Sequence, residues 1–212
     1  MTDTTSNNGE PVAQRNSRAT LERLLNEMIE RPEQREAIAQ TIKDVFEQNK
    51  AVMILDMSGF SRLTHKHGIA LFLLMIHQMQ LIARPCVEAA HGLLLKAEAD
   101  NLFCLFDTVD EAVDASREIV ERLGSANLLL PEDQNLYVSI GIGYGPILNI
   151  ADHDLFGDQV NLASKLGEEI AAKEQILLTA EARAHLTDTN IELHEEKISV
   201  SGLSLLYYRI QV

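Results

Sequence analysis

The spacing of apolar residues changes at about position 19. Residues 1–18 are rich in Thr, Ser, Asn and Gly and predict a disordered tail. In residues 19–49 apolar side chains recur at helical spacing on both sides of Pro32, which predicts two short amphipathic helices. Their apolar positions are Leu21, Leu24, Leu25, Met28, Ile29, then Ile38, Ile42, Val45 and Phe46. This helical extension can pair with a partner chain or fold back on its own domain, and folding back is the more common outcome.

From residue 50 onwards the pattern predicts a β-α-β-β-α-β order. The predicted elements are strand Ala51–Asp56, helix Ile69–Ala90, strands Leu93–Ala97 and Leu102–Phe106, helix Val109–Leu123 and strand Leu136–Tyr144. The second helix is expected to stop at Gly124. This order is typical of the ferredoxin-like or palm arrangement, an α+β fold with one antiparallel sheet and helices on a single face.

An additional C-terminal α/β subdomain is predicted to complete a domain over residues 50–212. Its elements are helix Asp158–Ala171, strand Gln175–Thr179, helix Ala180–Leu186 and three terminal strands, Ile191–His194, Lys197–Val200 and Leu205–Ile210.

Composition narrows the functional classes. The formal net charge of −14 disfavours binding to nucleic acid, because an acidic surface repels phosphate backbones. The start of the chain is polar, and the apolar stretch Ile69–Ile76 is too short to span a bilayer, so we expect a cytoplasmic protein without membrane insertion. Cys86 and Cys104 lie in apolar surroundings without metal-ligand spacing, which predicts buried free thiols.

Two carboxylates are the first candidates for chemistry. Asp56 ends the first strand and Asp100 lies at the tip of the following hairpin, so both belong to neighbouring strands of one sheet. Alone, Asp56 reads as a helix cap and Asp100 as a turn residue. Together they form a sensible site for two divalent cations. Lys96 lies on the same face as Asp100 by strand alternation and, by itself, reads as a salt-bridge partner.

A second polar group falls on the helix that starts near Asp158. Asn161 and Lys165 are four residues apart and share one helix face, where an amide and an ammonium group can stabilise phosphate charge; the alternative is an ordinary exposed face. Gly141, Gly143 and Gly145 do not form a nucleotide-binding fingerprint, because their spacing is wrong and Pro146 follows. We expect these glycines to allow close approach of another segment.

Four stretches resemble the motifs of class III adenylate and guanylate cyclases, and the resemblance covers the chain from about residue 50. They are Asp56–Ser61, Lys96–Asp100, Ser139–Pro146 and Phe156–Ser164, in the order found in that family. The resemblance implies that Asp56 and Asp100 bind two Mg²⁺ or Mn²⁺ ions. It also implies that the backbone of Phe60 and Ser61 contacts phosphate.

The resemblance further implies a substrate and an assembly. Lys96 and Asp154 occupy the positions that read the purine, and this pair suits adenine, while Asn161 orients the ribose. The family builds its site from two protomers, which implies a homodimer that converts ATP to cyclic AMP and pyrophosphate. A regulatory protein acting through the N-terminal helices is a further expected partner.

Three departures from the family pattern support an alternative function. Position 165 is Lys where active enzymes have Arg, Ala99 replaces the usual Gly, and no phosphate-binding Lys occurs near Gly202. The alternative is a catalytically weak or inactive cyclase-like module that binds nucleotide or dimerises.

Overall fold

The computed structural model describes residues 16–58, 68–200 and 203–211. These residues divide into two compact units. Unit 1 contains residues 16–48 and 148–155, and unit 2 contains residues 49–147 and 156–211. Each unit is described by itself below.

Unit 1 is built from two helices, α1 (Arg18–Glu30) and α2 (Arg35–Phe46), joined by a short 3₁₀ turn that begins at Pro32. The Ser17 side chain caps α1 by accepting a hydrogen bond from the Thr20 N–H. The apolar faces of both helices pack with the returning segment of the chain, in a cluster of Leu24, Ile38, Ile42, Phe46 and Ile150. The helices therefore fold back on a segment of their own chain.

Unit 2 carries the sheet and its covering helices. In chain order the elements are β1 (Glu47–Met57), α3 (Ile69–Ala89), β2 (Leu93–Glu98), β3 (Asn101–Phe106), α4 (Val109–Asn127), β4 (Val138–Ile150), β5 (Asp154–Phe156), α5 (Asp158–Ser164), a π-helical turn (Lys165–Ile170), β6 (Ile176–Thr179), α6 (Ala180–His185), β7 (Leu193–Val200) and β8 (Leu203–Ile210). The outer ends of β1, β4 and β5 extend into unit 1.

The α+β fold and its β-α-β-β-α-β core are confirmed, but the sheet is mixed rather than antiparallel. Its strand order is β2-β3-β1-β4-β6-β8-β7, and β5 pairs with β4. β3 runs antiparallel to both β1 and β2, whereas β4 and β6 are parallel. The prediction failed here because the chain crosses from β4 to β6 through a helical segment, and such a crossover brings the second strand back in the same direction.

Two element boundaries were also predicted wrongly. Helix α4 continues past Gly124 to Asn127, because the free-energy cost of one glycine within a helix is small and does not by itself end the helix. The predicted strands 191–194 and 197–200 are one strand, β7. Glu195 and Glu196, between the two predicted strands, belong to β7, and the hydroxyl of Tyr207 on β8 donates to Glu196 at 2.9 Å.

The main core of unit 2 lies between the sheet and the helices α3 and α4. Its apolar residues alternate along β1 and β3, so that Met53, Leu55, Leu102 and Cys104 face these helices. Cys104 and Cys86 are free and buried, as predicted. Helix α3 is long and apolar enough to cross a bilayer by length and composition alone, yet one face of it, including Met79, is buried in this core.

Candidate active site

The sheet brings Asp56 and Asp100 together. Asp56 lies near the end of β1, directly opposite Asn101 at the start of β3. The next backbone N–H, that of Met57, donates to the carbonyl of Asp100 at 3.3 Å. Asp100 itself lies in the two-residue turn between β2 and β3. The predicted proximity of the two carboxylates is therefore present in the fold.

The surroundings of these carboxylates disfavour two negative charges. Burial raises the pKa of Asp56 from its ordinary value of 3.8 to about 7, with further increases from the charges of Asp100 and Glu168. Burial also raises the pKa of Asp100, although a backbone hydrogen bond acts in the opposite direction. Near neutral pH the pair is consequently stabilised either by a proton or by a cation.

The donor atoms at this position fit a divalent cation. The carboxylates of Asp56 and Asp100 are hard oxygen ligands of the kind that Mg²⁺ and Mn²⁺ prefer. The side-chain oxygen of Asn101 is buried and accepts no hydrogen bond from the residues that the structure describes. Asn101 shares a sheet face with Asp56, because directly opposed residues on antiparallel strands point to the same side. Among the described residues, no group of three or more His, Cys, Asp or Glu side chains surrounds a metal position.

Lys96 lies on this same face of the sheet. It pairs with Phe103 in the β2–β3 register, and its ammonium group lies 4.6 Å from the centre of the Phe103 ring. The same ammonium group forms an ion pair with Glu98 at 3.3 Å. Only a quarter of the Lys96 side chain is exposed, so its charge is held near the sheet surface.

The turn before Asp100 explains why the family favours glycine there. Ala99 has φ of +50°, in the left-handed region where a Cβ is strained. The alanine therefore holds Asp100 in a turn that glycine would adopt at lower cost.

Asn161 and Lys165 lie on the helical segment that begins at Asp158. Asn161 is exposed on α5, and Lys165, one turn later, begins the π-helical turn and forms an ion pair with Glu169. This segment lies close against β4, since a Cβ at Gly141 would be 2.0 Å from the carbonyl oxygen of Ala163. The glycine-rich strand therefore serves close packing, as predicted.

Asp154 belongs to unit 1, where β5 begins. One of its carboxylate oxygens accepts a hydrogen bond from the Arg18 guanidinium at 3.3 Å. Phe60 and Ser61 lie outside the described residues, so their predicted contact with phosphate stays a prediction.

Sequence reasoning missed three neighbours of the predicted residues: Glu168, Asn101 and Arg18. Glu168 affects Asp56 because the π-helical turn packs over β1, where a Cβ at Gly167 would lie 2.8 Å from the carbonyl of Ile54. No sequence signal announces a π-helical turn. The pairing of Asn101 with Asp56, in contrast, has a simple origin. A two-residue turn between β2 and β3 makes Asn101 the first residue of β3, and the β1–β3 register then places it opposite Asp56.

A mixed sheet with a β-α-β-β-α-β core and two carboxylates at adjacent strand ends defines the class of nucleotide cyclase catalytic domains. A family model described as the adenylate and guanylate cyclase catalytic domain matches residues 44–211. The chain belongs to this family.

Individual relatives agree with this assignment. Over 116 residues the chain is 28% identical to a putative adenylate cyclase 3 of Rhizobium meliloti, a match that covers 55% of this chain and 20% of that protein. The chain thus spans about a fifth of the length of this relative.

Solved cyclase domains share the fold. The adenylate/guanylate cyclase/hydrolase from Silicibacter pomeroyi has a TM-score of 0.64 and 24% identity, over 77% of this chain and 96% of that one. The catalytic core of a rhodopsin-guanylyl cyclase with converted specificity, in complex with ATPαS, has a TM-score of 0.67 and 16% identity, over 78% and 97% of the two chains.

Proposed function

We propose that this domain is an adenylate cyclase that converts ATP to 3′,5′-cyclic AMP and pyrophosphate. The observation that carries the proposal is the meeting of Asp56 and Asp100 on adjacent strands, with the unpartnered oxygen of Asn101 beside them. A pair of half-buried acids is a costly arrangement, and the cost is offset when the acids bind cations.

The reaction forms a bond between the ribose 3′-oxygen and the α-phosphorus and breaks the bond from that phosphorus to the oxygen of the leaving pyrophosphate. The proton of the 3′-hydroxyl is released to solvent. Asp56 and Asp100 would hold two divalent cations, Mg²⁺ or Mn²⁺, and these would supply positive charge at the 3′-hydroxyl and the triphosphate. Asn161 orients the ribose, and Lys165 neutralises charge that develops on phosphate.

Adenine is the base that the proposed recognition pair favours. A Lys96 ammonium donates to a ring nitrogen, and the Asp154 carboxylate accepts from the exocyclic amino group. Guanine presents a carbonyl where adenine presents that amino group, so a carboxylate at Asp154 selects against it.

The domain works as a homodimer in this proposal. Asp56 and Asp100 of one protomer act with Lys96, Asp154, Asn161 and Lys165 of its partner, which gives two equivalent sites. The exposed positions of Asn161 and Phe156 support this arrangement, because a site shared between protomers needs side chains that project from the surface of each.

Purified protein incubated with ATP and Mn²⁺ tests the proposal by production of cyclic AMP. Asp56→Ala should abolish the product. The control is Asp107→Ala, which removes an exposed carboxylate paired with Lys50 and should leave the rate unchanged. A wild-type protein that binds ATP yet forms no cyclic AMP would contradict the proposed activity.

Base recognition is tested separately. Lys96→Glu combined with Asp154→Cys should shift the preference from ATP towards GTP. An unchanged preference would show that Asp154 does not read the base.

A second candidate function is a weak or silent nucleotide-binding module. The observation that favours it is the ion pair between Lys165 and Glu169, which engages the one ammonium group expected to replace the family arginine. Tight ATP binding without turnover in the same assay would select this alternative.

A further inference from the structure

The hairpin that precedes Asp154 is strained. Ala151 and Asp152 have φ of +53° and +54°, and the His153 N–H donates to the Ile150 carbonyl at 3.0 Å, which together are typical of a type I′ turn. Such a turn favours Gly or Asn at both central positions. An alanine in the left-handed region is therefore maintained only by surrounding contacts.

Two asparagines hold this turn in place. The buried Asn149 side chain donates to the Asp152 carboxylate at 2.7 Å and accepts from the Asp152 N–H at 3.1 Å. Asn16, from the start of α1, donates to the Asn149 carbonyl at 2.9 Å and accepts from the Ala151 N–H at 2.7 Å. The Asn16 amide thus uses a donor and an acceptor to bind the backbone on both sides of Ile150, where the chain enters the turn.

Arg18 extends the same contact to Asp154. Its Nη1 lies 3.3 Å from Asp154 Oδ2, and an exposed pair of this kind is weak in free energy. Its geometry is nevertheless informative, because it connects the Asp154 carboxylate to the first residue of α1. The Leu24–Ile150 cluster of unit 1 holds the rest of α1 against the same segment.

We propose that Asn16 and Arg18 are positioning residues that act through Asp154 and set the base preference of the cyclase. The inference rests on the proposed role of Asp154 in reading adenine. It assigns to α1 a defined task, which is to fix the hairpin from which Asp154 projects. Movement of α1 would then alter nucleotide selection through these three polar contacts.

Kinetic analysis of Asn16→Ala and Arg18→Ala with ATP and GTP tests this inference. Asn16→Ala, which removes two hydrogen bonds, should raise KM for ATP about three- to tenfold, and Arg18→Ala, which removes an exposed ion pair, about two- to fivefold. In both variants kcat should stay within about twofold of wild type. The ratio of kcat/KM for ATP over GTP should fall accordingly. Arg18→Lys should retain most of the preference, because a charged donor remains.

A matched control lies on the same helix. Arg23 also forms a surface ion pair, with Glu27 at 2.6 Å, but this pair lies within α1. Arg23→Ala should therefore leave the ATP/GTP ratio unchanged. Ala151→Gly in the Asn16→Ala background should restore the ratio, since glycine adopts the turn without help from Asn16. A general loss of stability in α1 would not be rescued by a change in the turn.

Hydrogen exchange gives a readout that does not need activity. The Ala151 amide donates to Asn16, so Asn16→Ala should accelerate exchange at that amide, while Arg23→Ala should not.

An active wild type whose two variants keep the wild-type ATP/GTP ratio would overturn the inference and leave the proposed function intact. A wild type that forms no product but has measurable dissociation constants for ATP and GTP would overturn the proposed function. The inference is then decided by comparing the ratio of those two constants between the wild type and the variants. A protein that binds neither nucleotide overturns both.

Discussion

Replacing Asp56 with Asn should stabilise the metal-free protein at alkaline pH. Because burial, Asp100 and Glu168 raise the pKa of Asp56 to about 7, the folded state binds a proton more tightly than the unfolded chain. The stabilisation that this proton provides is fully present below about pH 4 and is lost as the pH rises to about 7. Above pH 7 the folded wild type carries an unfavourable charge that the amide does not.

The magnitude follows from the size of the shift. A pKa moved from 3.8 to about 7 corresponds to about 4 kcal/mol at most, and partial solvent exposure of the site reduces the expected effect to about 1 to 3 kcal/mol. Urea unfolding at pH 5 and pH 8, without added metal, measures it. The gain of Asp56→Asn over wild type should grow across this interval and reach its full value at pH 8.

Addition of Mn²⁺ provides the second half of the experiment. The cation should stabilise the wild type at pH 8 and have little effect on Asp56→Asn, since the variant lacks one of the two carboxylates. Asp107→Asn is the control, because the Lys50 partner lowers the pKa of this exposed carboxyl and no gain at pH 8 is expected. The reasoning fails if Asp56→Asn shows no gain at pH 8, or if Mn²⁺ stabilises both proteins equally.

Three further predictions concern the same surface. Asn101→Ala should weaken Mn²⁺ binding severalfold in calorimetry, whereas Asn135→Ala, which removes the other buried unpartnered amide oxygen, should not. Lys165→Arg should raise the rate of cyclic AMP formation up to about tenfold, because the forked guanidinium forms two hydrogen bonds to phosphate; a lower rate would mean that Lys165 is already the better fit. Ala99→Gly should stabilise the protein by about 0.5 to 1 kcal/mol in urea unfolding, while Ala184→Gly in helix α6 should destabilise it.

The sequence predicted the proximity of Asp56 and Asp100 better than it predicted their surroundings. Hydrophobic alternation places Asp56 at a strand end, and the hairpin between β2 and β3 places Asp100 next to it. Local patterns were therefore sufficient to predict that these two carboxylates lie close together. The parallel pairing of β4 with β6 depends on where a connecting helix returns to the sheet, which no local pattern specifies. The continuity of β7 through Glu195 and Glu196 was missed for a related reason, because these acids accept hydrogen bonds from tyrosines on the neighbouring strand β8.

The environment of Asp154 was beyond prediction for a different reason. The sequence separates Asn16 from Asn149 by 133 positions, and side-chain-to-backbone bonds over such distances leave no periodicity. The positive φ values at Ala151 and Asp152 are equally hidden, since neither residue type signals a type I′ turn strongly.

The part of base selection that depends on Asp154 should respond to different perturbations from cation binding, because Asp154 and the cation-binding carboxylates belong to different units. Asp154 is held by contacts from α1 within unit 1, whereas Asp56, Asp100 and Asn101 are held by the β1–β3 register within unit 2. Loosening the strained hairpin through Asn16 removes no contact of the β1–β3 register. The ATP/GTP ratio should therefore change while the Mn²⁺ affinity of the nucleotide-free protein does not. Parallel loss of both properties would mean that the hairpin supports the whole domain rather than the position of Asp154.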